Sequence, residues 1–185
     1  GIMPTFQGVL RDREILALEP GDTTSRLFGL AVDLGTPTLV MDLVDLVSGR
    51  VLDSETALNS QASYGADVVS RISLAFSEPA KAGLLRAAIV KDLNRMTSAL
   101  LDRNGLRSDD VFEAVIAGNT AMNHLLIGAA INTLAIAPFS PVFSVLPALS
   151  APEAGLGISD RGRVYLAPNI KSFVGGDISA GLMAS

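Results

Sequence analysis

The sequence predicts an α/β protein: one mixed β-sheet with helices packed against it. Three observations lead there. Apolar runs at about 26–33, 37–45 and 51–58 are separated only by short polar turns, so they pair as antiparallel neighbours. Apolar residues at helical spacing then occupy most of 64–100. Finally, the run VFEAVIA (111–117) passes directly into Gly-Asn-Thr and a helix, the pattern of a buried strand joined through helices to parallel neighbours.

In chain order, residues 5–19 alternate around Asp12-Arg13 and read as a hairpin, followed by the punctuation Pro-Gly-Asp-Thr-Thr at 20–24. We assign 1–24 to the end of a preceding middle domain and linker, and 25–185 to the domain proper. The turn at 45–49 (Asp-Leu-Val-Ser-Gly) is small and polar enough to close the hairpin between the second and third main strands. A helix is expected over 64–76, buried through Val68, Val69, Ile72 and Phe76, with Asp67 as a candidate cap. Pro79 suits the first turn of a second helix, one face of which is marked by Leu84, Leu85, Ala88, Ile89, Leu93, Met96 and Leu100. Asn104-Gly105 is a C-terminal stop. A helix is expected over 120–127, and 128–162, rich in proline, is expected to be mostly loop. A last strand falls at 163–167 and a last helix at 176–184. The order β-β-β-α-α-β-α-loop-β-α is the ribonuclease-H-like arrangement of each half of actin-type ATPases and sugar kinases.

Composition narrows the functions. A formal charge of −5, with Lys and Arg scattered, excludes a nucleic-acid footprint. The absence of cysteine excludes disulfides, thiol catalysis and a cysteine-held iron–sulfur cluster within this chain. A lone His124 cannot build a histidine-based metal site and is expected to be a packed, hydrogen-bonded side chain. No apolar run reaches the length of a membrane span and no signal peptide is evident, so the chain is read as soluble and cytoplasmic.

Three segments carry chemistry-bearing residues. At 33–38 (Asp-Leu-Gly-Thr-Pro-Thr), backbone N–H groups and Thr hydroxyls of a hairpin tip can cradle a phosphate, while Asp33 holds a hydrated divalent cation. The alternative is an ordinary hairpin turn, and taken alone that reading is the stronger. Gly118-Asn119-Thr120 opens a helix at the end of a buried strand, where an anion is favoured, but Asn119 or Thr120 also suits a plain cap. Gly175-Gly176-Asp177 places an acid at a helix start. It suits a water-orienting carboxylate or one that complements the helix dipole. Asn59, Gln61, Asp67 and Arg71 form a polar cluster with no evident catalytic logic.

Taken together, AVDLGTPTLVMDLVDLVSGRVL, ALNSQASYGADVVSRI, VIAGNTAMNHLLIG, APFSPVF and GLGISDRGRVYLAPNIKSFVGGDISAGLMA resemble the C-terminal ATPase domain of the reductive activators of corrinoid-dependent enzymes. These are ferredoxin-like proteins whose last domain belongs to the acetate-and-sugar-kinase, heat-shock-protein and actin superfamily. The resemblance runs from about residue 26 to the end. It implies that an iron–sulfur domain outside this chain reduces cob(II)alamin of a corrinoid protein to cob(I)alamin, with ATP and Mg2+ used in the actin-like domain. It also implies that Asp33, Gly35, Thr36 and Thr38 form the first phosphate loop, that Gly118, Asn119 and Thr120 face the cleft, and that Gly175, Gly176 and Asp177 begin the helix joining two halves. Asp177 is then the candidate catalytic residue.

Two departures stand out. The family loop usually reads Asp-Ile-Gly-Thr-Thr-Thr, and Pro37 here removes a hydroxyl and a backbone donor. The second phosphate loop of the superfamily is expected beyond residue 185, so the chain is expected to be a first half that binds ATP weakly or not at all alone and self-associates through Ile178, Leu182 and Met183. A sugar- or acetate-kinase half and a degenerate protein-interaction domain are the alternatives.

Overall fold

The structure is a computed structural model and describes residues 5–11 and 13–169. The first hairpin forms as expected from β1 (Phe6–Arg11) and β2 (Glu14–Pro20), a separate antiparallel two-stranded sheet. It leans on the main domain through Leu16, which is buried, and through Arg11, whose Nη2 donates to the Phe112 carbonyl at 3.3 Å.

The main sheet contains six strands in the order β5-β4-β3-β6-β8-β7. They are β3 (Phe28–Leu34), β4 (Thr38–Asp45), β5 (Arg50–Leu58), β6 (Val111–Gly118), β7 (Leu149–Ser150) and β8 (Arg163–Leu166). The three meandering strands pair antiparallel, β3 with β6 and β6 with β8 pair parallel, and β7 is an antiparallel edge. The mixed sheet expected from the sequence is therefore present.

One face of that sheet carries the core. Leu30, Val32 and Leu34 of β3, Leu39, Met41 and Leu43 of β4, and Ala114 and Ile116 of β6 are buried. They alternate at the period-2 spacing of strands with one covered face. Over them lie α1 (Val68–Ser77), α2 (Pro79–Asn104) and α3 (Thr120–Ile127). Ala31, Asp33 and Val115 point to the other face, which is exposed among the described residues.

Helix α2 behaves as its sequence requires. Pro79 occupies its first turn and Gly105, at φ 62°, closes it in the left-handed conformation. Leu85, Ile89, Leu93, Met96 and Leu100 are buried, while Leu84 falls off the stripe and is exposed. Helix α1 departs more. It begins at Val68, after a 3-10 turn at Ser60–Ser63, because Asp67 and Ser70 form a capping box. Its inward face is Arg71, Ile72 and Ala75, and Val69 and Phe76, expected inside, are exposed. The spacing is helical, but the phase is set by a buried cation rather than by the apolar residues. Segment 128–162 holds the short α4 (Asn132–Ala135), β7 and α5 (Ala151–Ala154) within loop, as expected. No helix among the described residues is long and apolar enough to cross a membrane. The last helix expected at 176–184, with Ile178, Leu182 and Met183, lies outside the described residues.

Two glycines test this packing with opposite signs. A Cβ on Gly118 would stand 3.0 Å from both Cβ and the carbonyl oxygen of Leu34, whereas one on Gly83, inside α2, would meet nothing within 4 Å. Gly118→Ala is expected to cost about 1–3 kcal/mol by overpacking. Gly83→Ala is expected to stabilise by about 0.5–1 kcal/mol. Urea denaturation of the two variants measures both.

Candidate functional site

Parallel register builds the site. Strands β3 and β6 run together to Leu34 opposite Gly118, so both end at one level. The β3–β4 turn at 35–37 therefore stands beside the turn from β6 into α3, at the carboxyl ends of parallel strands where α/β sheets bind ligands. The two turns are joined directly: Asn119 Nδ2 donates to Thr36 Oγ1 at 3.1 Å. The Asn119 side chain also caps α3, its Oδ1 accepting from the Met122 N–H at 3.0 Å.

The first turn is held from behind. Asn59 Nδ2 donates to the Gly35 carbonyl at 3.0 Å and Asn59 N–H to the Pro37 carbonyl at 3.0 Å. Arg71 Nη2 donates to the carbonyl between them, that of Thr36, at 2.9 Å. Arg71 is fully buried, and its other donors reach the Gly65 carbonyl at 2.9 Å, Gln61 Oε1 at 3.0 Å and Met122 Sδ at 3.5 Å. Gln61 is itself fixed through Nε2 to the Leu85 carbonyl at 2.9 Å. Burial draws the guanidinium below its usual range while the nearby Asp67 charge opposes this, and it stays ionised. Among the described residues it makes no ion pair; its partners are neutral.

These contacts explain the polar cluster that had no evident catalytic logic in the sequence. Asn59, Gln61 and Arg71 are all fully buried; Asn59 and Arg71 hold the turn's backbone, and Gln61 anchors Arg71. A signal was available: Arg71 stands three residues after Val68 and four before Ala75, on the same helix face as Ile72.

Each candidate residue has a definite place. Asp33 is exposed at the end of β3, next to the turn. Gly35 is required, since a Cβ there would lie 2.3 Å from the Thr38 carbonyl oxygen. Thr36 and Thr38 are half-buried on the turn, and Gly118 is buried under it. Thr120 is fully buried in the first turn of α3. Gly175, Gly176 and Asp177 lie outside the described residues. Among the described residues no group of three or more His, Cys, Asp or Glu side chains could hold a metal ion. A magnesium ion beside Asp33 would therefore take most of its ligands from water and phosphate oxygens.

His124 is the packed side chain expected. It is fully buried and stacked on Phe143 with centroids 4.4 Å apart. Its Nε2 accepts from the Val142 N–H at 3.0 Å, so the proton sits on Nδ1, 2.7 Å from the Thr120 carbonyl. Burial lowers its pKa, with the Thr120 bond opposing. The folded pKa thus lies below the unfolded value of about 6.5. The unfolded state binds the extra proton, so stability is full above about pH 6.5 and falls as pH drops through the folded pKa.

Unfolding measurements test both buried groups. Arg71→Met leaves the carbonyls of Thr36 and Gly65 without their donor and is expected to cost about 3 kcal/mol or more. Arg71→Lys does little better, because one ammonium cannot span that fork of acceptors. Between about pH 7.5 and 5.5 the protein is expected to lose stability, and His124→Asn to flatten that slope. An unchanged slope would show that His124 is not its source.

Known proteins share this architecture. A family described as the RACo middle region matches residues 28–185. The corrinoid activation enzyme RamQ of Eubacterium limosum is 31% identical over 157 residues, 85% of this chain and 26% of that protein. A solved structure titled reductive activator for corrinoid, iron–sulfur protein matches with a TM-score of 0.87 and 38% identity, over 91% of this chain and 27% of its own. The chain spans about a quarter of the length of either relative. With the whole of the main domain matched and its fold reproduced, the chain belongs to the RACo middle-region family.

Proposed function

We propose that this chain supplies the first phosphate-binding half of an ATP-driven reductive activator of a corrinoid protein. The observation that carries the reading is the junction of two turns at the strand ends through Asn119 and Thr36. The Gly35, Thr36 and Pro37 carbonyls are all taken up from behind. In trans peptides the N–H lies opposite the carbonyl, so the Thr36 and Thr38 N–H groups turn away from those buried donors. With the two hydroxyls they form a neutral donor set suited to a phosphate, and exposed Asp33 adds a carboxylate that would hold Mg2+ through water.

In the whole activator the nucleotide's binding and hydrolysis would drive one-electron reduction of cob(II)alamin to cob(I)alamin, the electron coming from an iron–sulfur cluster outside this chain. This chain's part is to bind the phosphates, orient them against the turn and transmit the nucleotide state through the α1 and α2 residues that grip it. Gly175, Gly176 and Asp177, outside the described residues, belong to the same proposal, with Asp177 orienting a water.

The test uses the complete gene product. It is expected to bind Mg-ATP and to regenerate cob(I)alamin on a corrinoid protein, followed by absorbance, only when ATP is present. Thr36→Val is expected to weaken nucleotide binding about tenfold or more, the worth of a hydrogen bond to a charged group. Pro37→Thr is expected to tighten it. A product that binds no nucleotide, before and after Pro37→Thr, would show the interaction-domain alternative to be right.

A further inference from the structure

We infer that Asn119 is a positioning residue that sets the polarity of the Thr36 hydroxyl, aiming its proton at an anion bound over the first turn. The inference rests on the phosphate reading above and deepens it. Its basis is forced hydrogen-bond direction. The Met122 N–H can only donate, so the Asn119 atom 3.0 Å from it is the amide oxygen. The amide nitrogen therefore faces Thr36 Oγ1, at 3.1 Å, and can only donate to it.

Thr36 Oγ1 is thus an acceptor toward the protein. Its own proton cannot point at Asn119, and among the described residues it has no acceptor at hydrogen-bonding distance. The hydroxyl is left as a donor directed out of the turn. Rotation of the Thr36 backbone is resisted as well, since Arg71 pins its carbonyl and the Gly35 carbonyl before it is pinned by Asn59. A half-buried hydroxyl with a fixed donor direction suits a ligand carrying only acceptors, such as a phosphate oxygen, and disfavours one that must donate. The cap of α3 and the ligand preference of the β3–β4 turn are in this way one device: helix formation at Met122 fixes the amide, and the amide fixes the hydroxyl.

The discriminating variant is Asn119→Asp. Aspartate caps a helix as well as asparagine does, so the fold is retained. It offers only acceptors, so the Thr36 proton must turn inward to meet it. In the complete gene product, Asn119→Asp is expected to keep the melting temperature and to weaken Mg-ATP binding about tenfold or more. Asn119→Ser, a neutral cap too short to reach Thr36, is expected to weaken binding less, because the hydroxyl proton is then unconstrained.

The added charge is controlled for by a double-mutant cycle with Thr36→Val. If Asn119 acts through the hydroxyl, Asn119→Asp on the Thr36→Val background loses little further affinity. An equal loss on both backgrounds would mean simple charge repulsion and overturn the inference. So would wild-type-like binding by Asn119→Asp. A wild-type product that binds no Mg-ATP sinks the phosphate reading itself, a result separate from either of these.

Discussion

The close seam between β3 and β6 is the constraint on which the rest of the site depends. Leu34 pairs with Gly118, and the atoms of Leu34 lie too close for a side chain at 118 to enter without displacement. Only that approach brings the turn after β3 within one hydrogen bond of the turn before α3. The register also decides which faces matter. Leu34 enters the core and Asp33 stays exposed beside the turn because successive side chains on β3 alternate.

A buried cation then holds what the seam brings together. Burying a charge is costly unless its donors are met. Arg71 meets that requirement with neutral acceptors only, two of them the loop carbonyls of Gly65 and Thr36. The arrangement couples α1, the 3-10 turn before it, α3 and the β3–β4 turn, since Arg71 touches residues of all four. Its charge is also left uncompensated by any described carboxylate in contact, so an anion over the turn would gain from it at a distance. The same residue explains why the inward phase of α1 differs from the one its apolar residues suggest.

Much of the fold was legible because its determinants are local. Alternation in β3 and β4, Pro79 and Gly105 at the ends of α2, and the run VFEAVIA all state their structure within a few residues. The site was legible only in outline. The sequence pointed to the Asp33 and Gly118 segments separately, and the family resemblance joined them, but neither could show that Asn119 spans the gap to Thr36. Nor could it assign Asn59, Gln61 and Arg71, because their contacts to the turn and to Leu85 end on main-chain carbonyls, which carry no residue-type signal. Leu84, Val69 and Phe76 were misplaced for the opposite reason: hydrophobicity states a preference for burial, while the helix phase that grants it is set elsewhere.

Pro37 is where these constraints decide between two opposed effects. Its peptide bond is trans, since the cis bond among the described residues is Ala137–Pro138. Arg71 holds the Thr36 carbonyl inward, so the nitrogen of residue 37 faces the opposite side, where a threonine would present an N–H. Proline deletes that donor and leaves the buried side untouched, which is why the turn keeps its geometry. It also restricts Thr36 to extended conformations and lowers the freedom the loop must lose. Such stiffening contributes about 0.4–1 kcal/mol. A hydrogen bond to a charged group contributes about 1.5–3 kcal/mol. The lost donor outweighs the gained rigidity, so a phosphate on this turn would be held more weakly than on one with threonine at 37. On the proposed reading, the Thr36 hydroxyl would then carry a larger share of what recognition remains.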